Sequence, residues 1–294
     1  MIRVIQFCIA VIAILFFHLY VYENLPWVDD IERYKVNFQY PIVYALNSNL
    51  TTPVWGVIVL LLLEVLDISI EDTITVLQYA IFVLLTFTLS FASKNLFFTL
   101  LLLSSLFVTY SLDMVIGNLR QGIATCIFIF SLLYFRGLKQ FIGLTLSVLT
   151  HNMMVVPWYI FYIDKIKISN RLSKNIEQVI FVMPLVLLIV LFGSSVSTAE
   201  DGSRSIFGLI TYASIFILFF GVDSSNNLFK FARGMLFFIS STYMFFDQSL
   251  RYMGSFISVV IIALKEMSKE NQVLIVSILI LSSIFLWVLR LGII

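Results

Sequence analysis

The sequence predicts an all-α protein, a polytopic bundle of about ten helices built to cross a bilayer. Three observations predict it. Apolar residues make up 61% of the 294 and charged residues only 12%, too little polar surface to clothe a globule in water. Apolar runs recur from end to end. Strict alternation of apolar and polar residues is absent, which argues against a barrel.

The elements follow in order. Val4 to Tyr22 is one apolar run behind Arg3 and ends in Tyr20, Tyr22, Glu23 and Pro26. A cleavable leader has a shorter apolar centre and small residues at its cleavage site, so this run reads as a retained membrane helix. Residues 23–52 form a polar, amphipathic outer loop. Pro53–Leu66 carries Glu64 and is short of the ~20 residues a span needs. Clear spans are Thr73–Ala92, Asn95–Leu112, Gly122–Phe135 and Gln178–Phe192. Beyond a polar outer loop at 193–205 come Ile206–Val222, Gly234–Phe246, Gly254–Leu264 and Gln272–Leu291. Between Gln140 and Ile163 the pattern is interrupted by His151, Asn152 and Pro157. No internal repeat of the transporter kind is visible. The chain is read as a single integral membrane domain over 1–294.

Orientation follows from Lys and Arg in short loops. Lys165, Lys167, Arg171 and Lys174 form one cluster, Lys230 with Arg233 a second, and Lys265 with Lys269 a third. Counting spans puts all three on one face, taken as cytoplasmic. The front half has two solutions. If Pro53–Leu66 crosses, Lys94, Arg136 and Lys139 face outward and Arg120 inward. If it dips in and returns, those three face inward with Arg3, and Arg120 faces outward. The second solution also makes Gln140–Ile163 a broken hairpin, and the charges favour it.

Other function classes fall away. A formal net charge of +1 excludes a nucleic-acid binder with a broad basic face. Cys8 and Cys126 both sit in apolar runs, which excludes a disulfide scaffold or a cysteine metal cluster. There is no phosphate loop, dinucleotide fingerprint or His-Glu-x-x-His zinc helix. Gly193-Ser194-Ser195 is only a faint echo of an intramembrane serine protease and sits at a helix end.

The polar groups gather near the outward face: Asp29, Asp30, Glu32, Arg33, Tyr34, Arg120, Gln121, Asp247, Gln248, Arg251 and Tyr252, with His151 at the broken turn. Ionisable groups at membrane depth are costly and become functional candidates. Arg120 opens a span in Gly117-Asn118-Leu119-Arg120-Gln121-Gly122, where a guanidinium adds to the positive end of the helix dipole and favours a phosphate. The bland alternative is a snorkelling arginine. His151, among apolar neighbours, suits a general base or a donor to an oxyanion, against the alternative of a satisfied interhelical histidine. Arg251 is a second cation, or the partner of Asp247 four residues earlier. Asp30, Tyr34 and Phe38 share one face of a short interfacial helix. Adjacent Asp29 and Asp30 suit a sugar hydroxyl or a cation, or merely cap the helix. His18, mid-span, reads as structural.

The order of the pieces then carries a resemblance. An N-terminal helix leads to Asp-x-x-x-Tyr (Asp30, Tyr34), then Pro41, Tyr44, Leu46 and Asn47. Two spans follow, then Arg120-Gln121 before a small-residue span, a short basic turn, and His151 in a broken segment. This resembles the EpsG family, related to Wzy-type polymerases of bacterial surface polysaccharide, over roughly Val4 to Tyr162 and more loosely Arg251. The chain has Tyr40-Pro41-Ile42 where that family usually has Glu-Pro-Gly.

The resemblance implies a glycosyltransferase C-like membrane enzyme of the bacterial plasma membrane, joining oligosaccharide repeat units carried on undecaprenyl diphosphate at the outer leaflet. Arg120, Gln121 and Arg251 are then expected to hold the diphosphate, and His151 or Asp30 to relieve the acceptor of its proton. Asp29, Tyr34 and Tyr252 are expected to position the acceptor. No cofactor is expected, with a divalent metal left open. Expected partners are the lipid-linked oligosaccharide, the bilayer, a flippase and a chain-length regulator, and no nucleic acid. A flippase of the same lipid-linked sugars, or a membrane acyltransferase using His151, are the alternatives.

Overall fold

The computed structural model describes residues 2–22, 29–49, 51–163, 174–192, 206–243 and 248–290. The side chains of Asp29, Asp30, Asn47, Lys174 and Gln248 lie outside the described set. So do Trp27, Val28, Lys165, Lys167, Arg171, Asp247 and the 193–205 loop, with Gly193-Ser194-Ser195 and Arg204. Every described element is helical, so the all-α class holds, and the residues pack as two compact units.

The first unit comprises Met1–Phe107 and Ser111–Trp158. Helix α1 (Ile2–Phe16) continues as a π-helical stretch, Phe17–Tyr22. Short helices α2 (Asp29–Phe38) and α3 (Pro41–Asn49) follow, then α4 (Pro53–Leu60), which ends in a π-turn, Leu61–Val65. Helix α5 (Ile70–Ser90) starts behind Ser69, whose hydroxyl accepts Asp72 N–H, and α6 (Leu96–Ser104) behind Asn95, whose side chain accepts Phe97 N–H. Both are ordinary N-caps.

The single span expected at Asn95–Leu112 is broken. After α6 the chain tightens into a 3₁₀ turn, Ser105–Phe107, and restarts as α7 (Thr109–Ile116). The Ser105 hydroxyl donates to the carbonyl of Leu102 at 2.6 Å, competing with the backbone ladder at the break.

Helix α8 (Leu119–Tyr134) and α9 (Gly137–Thr150) are joined only by Phe135 and Arg136, with Gly137 at φ +57° making the corner. They run antiparallel and very close. A Cβ at Gly143 would lie 2.1 Å from Ser131 Oγ, so only glycine allows this approach. A 3₁₀ turn (Asn152–Met154) then reverses the chain into α10 (Val155–Ile163), and Trp158 returns beside Phe141, ring centroids 6.2 Å apart. The expected broken hairpin is present.

Side-chain bonds fix which helix ends lie together. Arg3 donates to the carbonyl of Phe91 at 3.0 Å, and Gln6 donates to Ser93 O and Thr99 Oγ1. The start of α1 therefore lies beside the α5–α6 turn. At the other end, Tyr22 donates to Gln78 Oε1 at 3.0 Å, and Gln78 donates to the carbonyl of Ile116 at 2.6 Å. Helix α1 runs from the first of these ends to the second, and α5 runs back. The chain thus leaves α1 and enters α5 at the same end. The eight α-helical and five π-helical residues of α4 and its π-turn agree with that return. Arg3, Lys94, Arg136 and Lys139 collect at one end of this unit and Arg120 at the other.

The second unit, Val108–Tyr110 with Tyr159–Ile294, contains α11 (Lys174–Phe192), α12 (Ile206–Phe220), α13 (Asn227–Thr242), α14 (Gln248–Ala263) and α15 (Lys269–Arg290). Helix α13 begins seven residues before the Gly234 expected from sequence, capped by Asn226, whose side chain accepts Leu228 N–H. Arg233 is consequently not a loop cation. It is buried, donating to Gln178 Oε1 at 2.7 Å, to Asn175 Oδ1 and to the carbonyl of Val222 at 3.2 Å. Burying a guanidinium requires such acceptors on every side.

The core is apolar, with Trp55, Phe82, Phe128, Phe238 and Phe256 fully buried. Val4, Ile12, Leu15, Leu84, Phe130, Ile142 and Leu188 are exposed, while Gln6, Thr73, Gln78, Gln121, Thr125, Ser147 and Thr150 are buried. Two helices, Ile2–Tyr22 and Ile70–Ser90, are long and apolar enough to cross a membrane, among the described residues. Several shorter apolar helices, including Leu119–Tyr134 and Leu209–Phe220, accompany them.

Candidate functional site at the head of helix α8

The first turn of α8 is built by the corner before it. Asp113 O accepts both Gly117 N–H at 2.9 Å and Asn118 N–H at 3.0 Å, closing α7 and aiming the chain into α8. Gln78, bonded to Ile116 O, braces the same corner from α5. Gly122 lets α8 nest there. A Cβ at this position would meet Ile81 Cδ1 at 2.7 Å and Met114 O at 3.0 Å. Asn118 occupies the N-cap position without a side-chain bond to the helix. The N–H groups of the first turn therefore depend on partners from elsewhere.

One partner is Tyr34. Its hydroxyl oxygen accepts Arg120 N–H at 3.4 Å. Tyr34 is carried by the amphipathic α2 and packs on Phe38 and Trp55 at 5.6 and 5.9 Å between centroids. Trp55 in turn donates to Tyr44 Oη at 2.8 Å, so Tyr34, Phe38 and Tyr44 form one cluster with α4. On the outer side of α2, Lys35 donates to Glu32 at 2.9 Å, and this bond raises the ammonium above its ordinary range.

Arg120 is half-buried, and its Nε is enclosed with no hydrogen-bond partner among the described residues. A cationic donor removed from water and left unspent is costly, and an anion is its natural complement. Gln121 beside it is buried at 2% exposure.

His151 is 8% exposed and sits where α9 ends. The α8–α9 register brings it to the Arg120 end. Measured from the Ser131–Gly143 crossing, Arg120 stands about 16 Å along α8 and His151 about 12 Å along α9, within about one helical turn of the same level. Its Nδ1 accepts Met153 N–H at 3.1 Å, capping the 3₁₀ turn. A ring nitrogen that accepts a backbone N–H carries no proton, so the neutral ring bears its proton on Nε2. As held, His151 is a hydrogen-bond donor.

The first unit thus brings Tyr34, Arg120, Gln121 and His151 to one end. The backbones of Asp29 and Asp30 belong to α2, and their side chains lie outside the described residues. Arg251 and Tyr252 belong to the second unit, on α14. Arg251 is exposed, while Tyr252 is buried with its ring edge-on to Phe238 at 5.5 Å between centroids. His18 bonds Tyr79 through Nδ1 at 2.6 Å, a structural pairing as expected. No group of three or more metal-ligating side chains occurs among the described residues.

Sequence reasoning passed over Gln78 and Asp113. Both stand inside apolar runs, and a polar residue among Leu, Ile and Val was the signal available. No protein-family model, no curated protein and no solved structure matches the chain.

Proposed function

We propose that the chain is a membrane polymerase of the EpsG/Wzy type, joining oligosaccharide repeat units carried on undecaprenyl diphosphate by glycosyl transfer at the outer leaflet. The observation that carries the reading is the enclosed, unspent Nε–H of Arg120 at the head of α8. A guanidinium added to the positive pole of a helix suits a diphosphate.

The surroundings support it. The many exposed apolar side chains, with Gln6, Gln78 and Gln121 among the buried polar ones, suit a bundle of about ten spans in lipid. Arg3, Lys94, Arg136 and Lys139 at the opposite end suit a cytoplasmic face, which leaves Arg120 and His151 outward. The lipid diphosphate is the leaving group, so the site must hold negative charge that grows as the anomeric carbon–oxygen bond breaks. Arg120 and the α8 N-terminus supply that hold. His151 contributes through Nε2–H, a donor to the departing phosphate or to the acceptor sugar. Tyr34 on α2 lines the approach of the acceptor. An activated donor of this kind requires no nucleotide.

Deletion of the protein from its host tests the reading. Long polymer should disappear while single repeat units still appear on the outer leaflet. Units stranded on the cytoplasmic side would instead favour a flippase.

A further inference from the structure

The first unit separates its charges end from end. Its described carboxylates, Glu32, Glu64, Asp67, Glu71, Asp72 and Asp113, lie on α2, between α4 and the first turn of α5, or on α7 before the α8 corner, all toward the Arg120 end. At the opposite end Arg3, Lys94, Arg136 and Lys139 are all exposed, with no described carboxylate of this unit among them. Side-chain bonds draw the four together. Arg3 donates from Nη1 to the carbonyl of Phe91, three residues before Lys94. The Tyr134 hydroxyl donates to Thr88 O at 2.7 Å, which ties the end of α8 to the last turn of α5, and the Arg3 charge is felt at that hydroxyl. Arg136 follows two residues later. Gln140 donates to the carbonyl of Leu132 at 3.3 Å and holds the first turn of α9, with Lys139, against α8. Most of the cationic donors are unspent. Lys94 and Lys139 have no hydrogen bond or ion pair among the described residues, and Arg3 and Arg136 engage Nη1 alone. Bare apolar side chains lead away from the charges: Phe97 and Leu100 on α6 behind Lys94, and Leu138 and Ile142 on α9 beside Lys139.

We propose that this end of the first unit is a binding surface for anionic phospholipid. The lipid phosphate meets the cations, where ammonium groups supply charge and the free guanidinium nitrogens supply directed donors. The acyl chains cover the exposed apolar faces of α6 and α9. Clustered Lys and Arg at a membrane surface attract acidic headgroups, and here no carboxylate of the same unit offsets them. A soluble anion would satisfy the charges and leave the apolar faces bare, so an amphiphile fits both halves of the surface. The proposal rests on the membrane reading of the chain and goes beyond glycosyl transfer.

The test uses purified full-length protein in detergent, titrated with phosphatidylglycerol or with phosphatidylcholine of the same acyl chains. Bound lipid is counted by native mass spectrometry. Phosphatidylglycerol should bind in preference and raise the melting temperature, an effect that fades at high salt. Lys94→Gln or Lys139→Gln alone should weaken its binding about fivefold, and the triple change Lys94→Gln, Arg136→Gln, Lys139→Gln about a hundredfold, with phosphatidylcholine binding unchanged. Arg33→Gln with Lys35→Gln, at the other end, should keep the preference. If the triple variant melts early without lipid, the single variants carry the comparison. Equal binding of the two lipids overturns the proposal and leaves the surface to an acidic protein partner. A preference that survives the Lys94, Arg136 and Lys139 substitutions, or one that the Arg33 and Lys35 pair removes as fully, also overturns it. None of these results touches the polymerase reading, which glycosidic bond formation tests separately.

Discussion

The hydroxyl of Tyr34 accepts the backbone N–H of Arg120 at 3.4 Å, a bond that spans 86 positions of sequence. It pins the amphipathic outer helix to the head of α8. Tyr34→Phe keeps the ring packing on Phe38 and Trp55 and removes the hydroxyl. The expected loss is ~0.5–1.5 kcal/mol of stability, read as a small fall in the melting temperature in detergent, with reduced polymer synthesis beside it. Tyr34→Ala should lower the melting temperature further.

Arg120 binds through a planar fork in this account, so a point charge is a poor substitute. Arg120→Lys should shorten polymer nearly as severely as Arg120→Ala, on gels with protein abundance held equal. Normal polymer from Arg120→Ala would eliminate the diphosphate clamp.

The α8–α9 hairpin depends on a missing side chain. Gly143→Ala brings a Cβ into Ser131, 2.1 Å from Oγ and 2.8 Å from Cβ, and overpacking of this kind costs about 1–3 kcal/mol. A lowered melting temperature in detergent is expected. Ser131→Gly in the same chain should restore it, since the clash is with that side chain alone.

The end-to-end arrangement of the first unit fixes a labelling pattern. Arg3 bonded to Phe91 O and Tyr22 bonded to Gln78 fix opposite ends of the α1–α5 pair, so the chain leaves α1 and enters α5 at one end, and Lys94 lies at the other. With Cys8 and Cys126 removed, cysteines at 94 and 139 should resist an impermeant thiol reagent from outside, and a cysteine at 120 should react. Labelling at 139 but not at 120 would reverse the orientation.

Much of this was legible in the sequence. The apolar runs marked α1, α5, α8 and α15, each a long stretch in which apolar residues dominate. Positive loops and the short Pro53–Leu66 segment together pointed to an excursion without a crossing. His151, Asn152 and Pro157 marked the reversal between α9 and α10. The break at Ser105 was not legible, because a serine in an apolar helix more often bonds its own ladder without ending it. The burial of Arg233 was also hidden. Its acceptors Gln178, Asn175 and Val222 O come from distant segments, and no local pattern announces such a cage. The proton position on His151 depends on Met153 N–H, a matter of turn geometry alone.

Bond formation by the isolated protein is the most direct test of the central claim. Purified protein in detergent, given lipid-diphosphate-linked repeat units and no second compartment, should yield lipid-linked dimers and longer chains. One lipid diphosphate should be released for each bond, and the rate with His151→Ala should fall by ~10²–10³, as for a lost hydrogen-bond donor to the departing charge. Transport cannot produce such chains. Absence of any glycosidic bond from folded wild type, together with repeat units stranded inside cells that carry His151→Ala, would contradict the account.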